Sequence, residues 1–267
     1  MHLMYCDESN LEERAGDFLI YGGVIIPSDN AKALSDTISN LRALAGLDVA
    51  AVVKFAPPVQ PLGHEGYRDL KAAIIAAAIE HGAKFISYAV LHDVAGDPGL
   101  ARRYGVNTLC WHFHCILRSS GDTGLVLIDR FSDANNEIDG HLRDKMARGV
   151  ELPHRGWVQL GQITGFHYSA IGQSHFTSLC DILVGSLRWA INVHCRNLPQ
   201  REGALNLLRA LSPMFWRPHG GDRVPDMGFC FSPFNIRSAR YFQQYAALQS
   251  FLREGGIDSC QDIQFIG

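Results

Sequence analysis

The sequence lacks the patterns that mark several large classes of protein. No apolar run approaches the length of a membrane span, and the first residues have no basic segment followed by a long apolar one, as a secretory signal would. The seven cysteines are scattered, odd in number and without a C-x-x-C pair, which argues against a disulfide framework and a zinc ribbon. We therefore expect a protein of the reducing cytoplasm with no membrane partner.

Common catalytic signatures are missing as well. There is no G-x-G-x-x-G or G-K-[ST] phosphate loop, and no G-x-S-x-G motif that would support acyl transfer. A net charge of −3 argues against a protein that coats nucleic acid non-specifically. Residues 196–267 nevertheless hold eight Arg, no Lys and six Asp or Glu, and guanidinium is the better fork for phosphate. This asymmetry is compatible with a phosphate-rich ligand, although a difference of this size also arises by chance.

What is present begins with a strand pattern at the start of the chain. The apolar residues 3–6 run directly into Asp7 and Glu8, which predicts a buried strand that ends in two carboxylates. Successive side chains of a strand point to opposite faces, so one of the two reaches a site at the strand end, and we expect it to be Asp7. A polar turn, with Ser9 or Asn10 as a cap, is the alternative explanation.

A second strand pattern covers residues 18–27 and follows a polar linker of eight residues. Parallel strands need about a dozen or more residues between them, so the first two strands should form an antiparallel hairpin. This excludes the doubly wound folds, in which the first strand leads directly into a helix.

The rest of the chain alternates between helical and strand patterns. Helical periodicity and cap residues predict helices over residues 30–45, 65–81, 97–118, 135–148 (capped by Asp133), 174–194 and 237–253. Strand patterns cover residues 84–92, 124–130 and 157–169. Prolines and glycines interrupt residues 196–233, where we expect a loop-rich insertion.

Three aspartates fall at comparable places in these predicted elements. Asp7 ends the first strand, Asp129 ends a near-continuous apolar strand that should be covered on both faces, and Asp181 lies in the second turn of a late helix. Gly185 and Arg188 share a helix face with Asp181. We expect Gly185 to let that helix approach the sheet closely.

The charge of this set predicts its chemistry. Converging carboxylates repel one another unless a cation lies between them. Mg²⁺ or Mn²⁺ suits such a set, since Mg²⁺ takes hard oxygen ligands and is usually held by one or two carboxylates plus substrate phosphate. Two such ions about 3.5–4 Å apart would support hydrolysis of a phosphodiester. We therefore predict Asp7, Asp129 and Asp181 as metal ligands, with Glu8 as a further catalytic group, either a ligand or a water-orienting residue.

Three motifs carry a family resemblance: Tyr5-Cys-Asp-Glu-Ser9 with the second strand pattern, Leu125-Val-Leu-Ile-Asp129-Arg, and Leu179-Cys-Asp181-Ile-Leu-Val-Gly185-Ser-Leu-Arg. In this order they resemble the bacterial domain-of-unknown-function family 3800, over most of residues 1–195. The resemblance implies a ribonuclease H-like fold and a metal-dependent nuclease activity. It also implies that Asp7, Glu8, Asp129 and Asp181 line one acidic site that Lys54 approaches.

The chain departs from that family at three positions. Members typically carry a glutamine where this chain has Ser178, an alanine where it has Cys180 and a glycine where it has Asn10. These changes spare the carboxylates and bear on how a substrate would be positioned.

Two further groups have competing interpretations. The residues Cys110, His112, His114 and Cys115 are dense in sequence, but only Cys110 and His114 share a helix face and no second pair with zinc-ligand spacing is near. Arg217 follows Phe215 and Trp216, a group that suits base stacking or anchors a buried loop. We predict three basic residues as substrate-binding: Lys54, Arg188 and Arg217.

The patterns and the resemblance together predict an α/β protein. Its ribonuclease H-like mixed sheet would open with an antiparallel hairpin and carry helices on both faces. Residues 1–195 would form this domain, with residues 196–267 as a loop-rich insertion and a C-terminal helix packed on it. Two functions remain open: a Mg²⁺- or Mn²⁺-dependent nuclease acting on DNA or RNA by a two-metal mechanism, and a catalytically degenerate module that binds nucleic acid or a protein partner.

Overall fold

The computed structural model describes residues 1–12, 14–130, 137–152 and 156–267. The strands are β1 His2–Ser9, β2 Phe18–Pro27, β3 Lys84–Leu91, β4 Gly124–Asp129, β5 Val150–Leu152, β6 Gly156–Val158, β7 Ile163–Ser169, β8 Phe229–Ser232, β9 Asn235–Ile236 and β10 Gln264–Phe265. The helices are α1 Ser28–Leu44, α2 His64–Glu80, α3 His92–Ala95, α4 Pro98–Ser120, α5 Glu137–Arg148, α6 His175–Cys195, α7 Arg201–Leu211 and α8 Ala239–Glu254. The predicted cap Asp133 lies outside the described residues. No helix within the described ranges is long and apolar enough to cross a membrane.

The main sheet has six strands in the described part of the chain, in the order β7-β4-β1-β2-β3-β8. β1 and β2 form the predicted antiparallel hairpin. β3 is antiparallel to β2, whereas β4 is parallel to β1, β7 to β4 and β8 to β3. All of these strands except β2 therefore run in one direction, so the carboxyl ends of β1, β4 and β7 meet at the same edge of the sheet.

Helices cover both faces of this sheet, as the α/β prediction requires. Along β1, Tyr5 packs into a core with α1, α2, α6, α7 and α8, while Met4 and Cys6 pack into a second core with α4 and α5. The split follows from the alternation of side chains along a strand. Burying one such side chain contributes roughly 1.5–3 kcal/mol, so the two cores together hold the layers in place.

Local sequence signals place the helix that covers the second face. Asp97 caps α4 by accepting a hydrogen bond from the backbone N–H of Leu100 at 2.8 Å. Pro98 is its first residue, where a missing N–H does no harm, and Gly121 ends it with a left-handed φ of 68°. The helix therefore begins and ends within two or three residues of the predicted bounds, over Pro98–Ser120.

Three expectations about individual elements need correction. The predicted strand over residues 157–169 is two strands, since β6 pairs with β5 in a separate hairpin and only β7 joins the main sheet. β4 is not fully covered on both faces, because burial alternates along it. The predicted loop over residues 196–233 contains α7, whose buried residues Ala204, Leu205, Leu208 and Leu211 have helical spacing.

The chain after residue 195 completes the sheet and the core. β8 pairs with β3 as the edge strand, and Phe229 and Phe231 lie in the same core as Phe18. The Phe231 ring meets those of Phe18 and Tyr245 edge to face. Aromatic pairs of this kind add about 0.5–1.5 kcal/mol beyond the area that they bury.

Candidate functional site

Asp7 and Asp129 are neighbours at the carboxyl ends of two parallel strands. β1 and β4 are in register from His2 opposite Gly124 to Cys6 opposite Ile128, so the next pair along is Asp7 and Asp129. Both face the layer that contains α6, because Asp7 shares a face with Tyr5. The hairpin and the parallel strand thus bring the first two predicted ligands to one edge of the sheet.

Asp181 reaches the same place from α6. Ser174 caps this helix, accepting hydrogen bonds from the backbone N–H groups of Phe176 and Thr177 at 3.2 and 3.3 Å. The Cys180 thiol then donates to the carbonyl oxygen of Tyr5 at 3.2 Å, which fixes the first turns of α6 against β1. Asp181 follows directly and projects over the end of the sheet.

The three aspartates line one cavity of ≈ 80 Å³ together with Lys54. A second cavity, of ≈ 230 Å³, shares Asp7, Lys54 and Asp181 with it and extends to Arg188. The two form a continuous recess that we call the acidic site, defined by Asp7, Asp129, Asp181 and Lys54. The remaining residues that line the smaller cavity are Tyr5, Cys6, Ser169, Ile171, Thr177 and Cys180.

Burial and mutual repulsion raise the pKa of Asp7 to about 7, from an ordinary value of 3.8. Loss of water is the largest cause, followed by the charges of Asp181 and Asp129. Burial also raises the pKa of Asp129. The positive charge of Lys54 acts in the opposite direction on both groups. The acidic site therefore holds more negative charge than its own lysine neutralises, and a further cation or a proton is favourable there.

The segment that carries Lys54 is held in place by two side chains. The Tyr67 hydroxyl accepts a hydrogen bond from the backbone N–H of Lys54 at 2.9 Å and donates to the carbonyl oxygen of the same residue. The next residue, Phe55, donates its backbone N–H to Oδ2 of Asp181. An irregular loop is thereby fixed against both α2 and α6, and its lysine is directed to the acidic site.

Gly185 serves a different purpose from the predicted one. A Cβ at this position would lie 2.4 Å from Cβ of Phe55, so the glycine admits the loop and not the sheet. The close approach of α6 to the sheet is made instead at Gly22 of β2, where a Cβ would lie 2.6 Å from Cγ2 of Val184. Both contacts are shorter than real Cβ atoms show, so a larger residue would displace its neighbour.

Glu8 points to the other face of the sheet from Asp7, so the structure does not bring its carboxylate together with those of the three aspartates. Its Oε1 lies 3.5 Å from the guanidinium of Arg102 in α4. Burial and the charge of Asp7 raise its pKa to about 8. Among the described residues, its buried Oε2 finds no hydrogen-bond partner. Glu8 borders the ≈ 230 Å³ cavity, but its carboxylate is directed to α4.

The predicted basic residues separate in the structure. Lys54 lines both cavities of the acidic site, and Arg188 lines the larger one with its guanidinium 5.7 Å from the Phe55 ring centroid. Arg217 lines neither cavity. Its guanidinium donates to carbonyl oxygens of Ser212, Phe215, Asp222 and Gly256. The structure therefore does not bring Arg217 to the acidic site, and these acceptors hold its guanidinium as a loop anchor.

The structure also brings in residues that sequence reasoning did not select. Tyr67 holds the Lys54 segment, and Ser169 and Thr177 supply hydroxyl groups to the lining of the smaller cavity. Ser169 and Thr177 flank positions that the strand and helix patterns had located, so proximity to a strand end was an available signal. The sequence offered no signal for Tyr67, since a buried tyrosine in an amphipathic helix normally packs in the core.

No group of three His, Cys, Asp or Glu side chains within the described residues is positioned to hold a metal ion. The aspartates of the acidic site thus converge without forming a closed ligand set. No protein-family model, curated protein or solved structure matches the chain. The fold and the recess define an α/β protein with an acidic cavity at the carboxyl edge of a mixed sheet.

Proposed function

We propose that this protein is a divalent-metal-dependent nuclease that hydrolyses phosphodiester bonds in nucleic acid. The observation that carries the proposal is the convergence of Asp7, Asp129 and Asp181 from three separate elements on one cavity. Carboxylates brought together without enough basic charge are the usual setting for a divalent cation. The family resemblance and the ribonuclease H-like classification belong to this proposal. A mixed sheet that opens with an antiparallel hairpin and carries acids on β1 and β4 supports them.

The acidic site fits Mg²⁺ or Mn²⁺ by the chemistry of its donors. Asp7, Asp129 and Asp181 would hold the ion through hard carboxylate oxygens, the ligands that Mg²⁺ prefers. Magnesium usually keeps several waters and is completed by substrate phosphate, so an open set of aspartates is compatible with it. When bound, such an ion lowers the pKa of a coordinated water and stabilises the leaving oxygen.

The chain's own residues have distinct tasks under this proposal. The ammonium of Lys54, exposed at the mouth of the smaller cavity, attracts a phosphate oxygen to the acidic site. Arg188 offers a guanidinium to the next part of a polyanionic substrate from the larger cavity. The Phe55 N–H orients Asp181 by occupying its Oδ2. None of these groups selects between DNA and RNA, so the proposed substrate is nucleic acid of either kind.

Cleavage of labelled DNA and RNA in the presence of Mg²⁺ or Mn²⁺ tests the activity. We expect cleavage by the unmodified chain and a loss of about 100-fold or more in Asp7→Asn and in Asp129→Asn, since neutral ligands hold the ion poorly. Asp36→Asn is the matched control, because this exposed carboxylate of α1 lies outside the acidic site. Cleavage that survives both aspartate substitutions would refute the site assignment.

Metal binding has a separate test that needs no substrate. We expect Mn²⁺ to raise the melting temperature of the unmodified chain, because an ion that binds only the folded state stabilises it by about 2.7 kcal/mol at a hundredfold excess over its Kd. The shift should disappear in Asp181→Asn. An equal shift in that variant would place the ion elsewhere.

The second candidate is a catalytically degenerate module that binds nucleic acid or a protein partner. The observation that favours it is the open geometry of the acidic site, in which no three ligands within the described ranges are positioned for a metal. Two results together would support this alternative. The chain would bind labelled nucleic acid without cleaving it, and Mn²⁺ would leave its melting temperature unchanged.

We also propose that the protein acts in the cytoplasm. None of its seven cysteines, all of which lie in described ranges, forms a disulfide. Cys6, Cys110 and Cys180 are buried in apolar surroundings, where they behave as small hydrophobes. A reducing compartment suits such a set.

A further inference from the structure

A groove of ≈ 500 Å³ lies between α2, α6 and α7, beside the acidic site and separate from it. Its walls are mostly apolar, with Ile75 and Ile79 from α2, Trp189 from α6 and Leu207 from α7. Sites for small molecules typically measure about 300–1,000 Å³ and combine apolar walls with a few polar groups. The size and lining of this groove fall within that description.

The charges of the groove are of one sign. Two ionisable side chains line it, and none of its described lining residues is acidic. Arg68 at the exposed rim is paired with Glu65 and Asp69, so the half-buried Lys71 carries the charge that an anion would meet. Lys71 Nζ donates to the carbonyl oxygen of Phe55 at 2.8 Å and lies over the rings of Phe55 and Tyr67. Burial lowers the pKa of Lys71 although the charge of Asp181 acts in the opposite direction, so Asp181 compensates this cation only in part. Charge complementarity thus calls for an anion next to an apolar body.

We propose that this groove binds a small amphipathic anion, with an alkyl or aryl body along α2 and α7 and a carboxylate against Lys71. The aliphatic walls remove the body from water, which is favourable by about 25 cal/mol for each Å² of apolar surface. The carboxylate forms a charge-assisted hydrogen bond with the lysine, which is roughly twice as strong as a neutral one. A cationic or neutral ligand of the same shape lacks this bond.

The groove is connected to the acidic site through Phe55. This residue lines both, its carbonyl oxygen accepts from Lys71, and its N–H donates to Asp181. An anion that neutralises Lys71 also removes a positive charge that acts on Asp181. Because less positive charge then opposes a metal ion, anion binding should raise the affinity of the acidic site for Mn²⁺. This consequence rests on the proposed function, whereas binding in the groove does not.

Calorimetric titration of the full chain with octanoate, octylamine and octanol, without metal or nucleic acid, tests the groove. We expect octanoate to bind about tenfold more tightly than the other two, the ratio that corresponds to one charge-assisted hydrogen bond of about 1.4 kcal/mol. Lys71→Gln should reduce the affinity for octanoate to that for octanol. Lys71→Arg should preserve the preference for octanoate. Equal affinities for the three probes would overturn the proposal.

Filling the groove provides a variant that leaves its charges in place. Ala76 is an exposed residue that lines the groove, and Ala76→Trp should abolish binding of both octanoate and octanol. The matched control is Ala33→Trp, at an exposed alanine of α1 outside the groove, which should bind octanoate like the unmodified chain. Octanoate binding unchanged by Ala76→Trp would overturn the proposal. A dimer in sedimentation that Ala76→Trp dissociates would assign the groove to a second copy and overturn it as well.

The connection through Phe55 has its own measurement. Octanoate should raise the Mn²⁺ affinity of the unmodified chain about fivefold, at the lower end of typical couplings between sites, and should leave Ala76→Trp unaffected. Intact octanoate binding with an unchanged Mn²⁺ affinity would refute the connection. A chain that binds octanoate but no Mn²⁺ would refute the metal site and leave the groove established.

Discussion

Asp7 and Asp129 lie side by side near the carboxyl ends of neighbouring parallel strands, one residue beyond the registered pair Cys6 and Ile128. Burial raises the pKa of Asp7 to about 7, and the charges of Asp181 and Asp129 add to that rise. This relationship accounts for most of the chemistry expected of the molecule, because one lysine does not neutralise three carboxylates.

The stability of the metal-free protein should decrease as the pH rises. The folded-state pKa of Asp7 is about 7 against an ordinary 3.8, so the folded chain keeps a proton that the unfolded chain has lost. The contribution of the protonated Asp7 carboxyl to stability is complete below pH 3.8 and is lost as the pH rises through 7. Asp7→Asn removes this dependence. Urea unfolding with a chelator gives the free energy of unfolding of the variant and of the unmodified chain. The difference in favour of the variant should be roughly 1–3 kcal/mol larger at pH 8 than at pH 5. A pH-independent difference would contradict the raised pKa.

Glu8→Gln should show that Glu8 and Asp7, near the end of β1, have different roles. The Glu8 carboxylate pairs with Arg102 on the other face of the sheet, so its neutral amide should leave the acidic site intact. We expect Mn²⁺ affinity within about threefold of the unmodified chain, where Asp7→Asn loses most of it. Manganese titration followed by electron paramagnetic resonance distinguishes the two. Equal losses in both variants would mean that Glu8 is a ligand after all.

Tyr67→Phe should weaken substrate binding at the acidic site, although Tyr67 does not line that site. The variant loses the hydroxyl that accepts from and donates to the backbone of Lys54, which should lower stability by about 1 kcal/mol and weaken substrate binding. Tyr245→Phe is the matched control. Its hydroxyl likewise accepts from the backbone of Leu91 in β3 and donates to that of Ser232 in β8, and it lines neither cavity of the acidic site. A binding assay with labelled nucleic acid and a melting curve should show equal destabilisation and a binding defect only for Tyr67→Phe.

Gly185→Ala should displace the loop that carries Lys54. The added Cβ would lie 2.4 Å from Cβ of Phe55, so the loop must shift or α6 must move, at a loss of roughly 1–3 kcal/mol. Gly140→Ala in α5 is the comparison, since no atom of the described residues lies within 4 Å of a Cβ added at this position. That variant should gain about 0.5–1 kcal/mol from the higher helix propensity of alanine. Thermal unfolding measures the stability of both variants. If neither variant is destabilised, the contact between Gly185 and Phe55 is contradicted.

Much of the fold was predictable from the sequence because its signals are local. The eight residues between β1 and β2 are too few for a crossover, and this alone predicts the hairpin. Helical periodicity located α2, α6 and α8 to within two or three residues. The helix α7 was missed because prolines and glycines around it suggested a loop, although its own apolar residues have helical spacing. The edge strand β8 was missed because four residues carry too weak a pattern.

The sequence by itself indicated that Asp129 ends a strand, that Asp181 lies early in a helix and that α/β layers surround them. It placed Asp7 at the end of β1, whereas the strand continues two residues further to Ser9. Alternation and periodicity are properties of neighbouring residues, so they are readable without a fold. Only the tertiary structure decided that Glu8 turns to Arg102, that Arg217 anchors a loop, and that Gly185 admits Phe55. The hydrogen bond between Phe55 and Asp181 joins residues 126 positions apart, and no local pattern specifies such a contact. It exists because the fold brings α2 and α6 to either side of that loop, where Tyr67 and Asp181 bind its backbone.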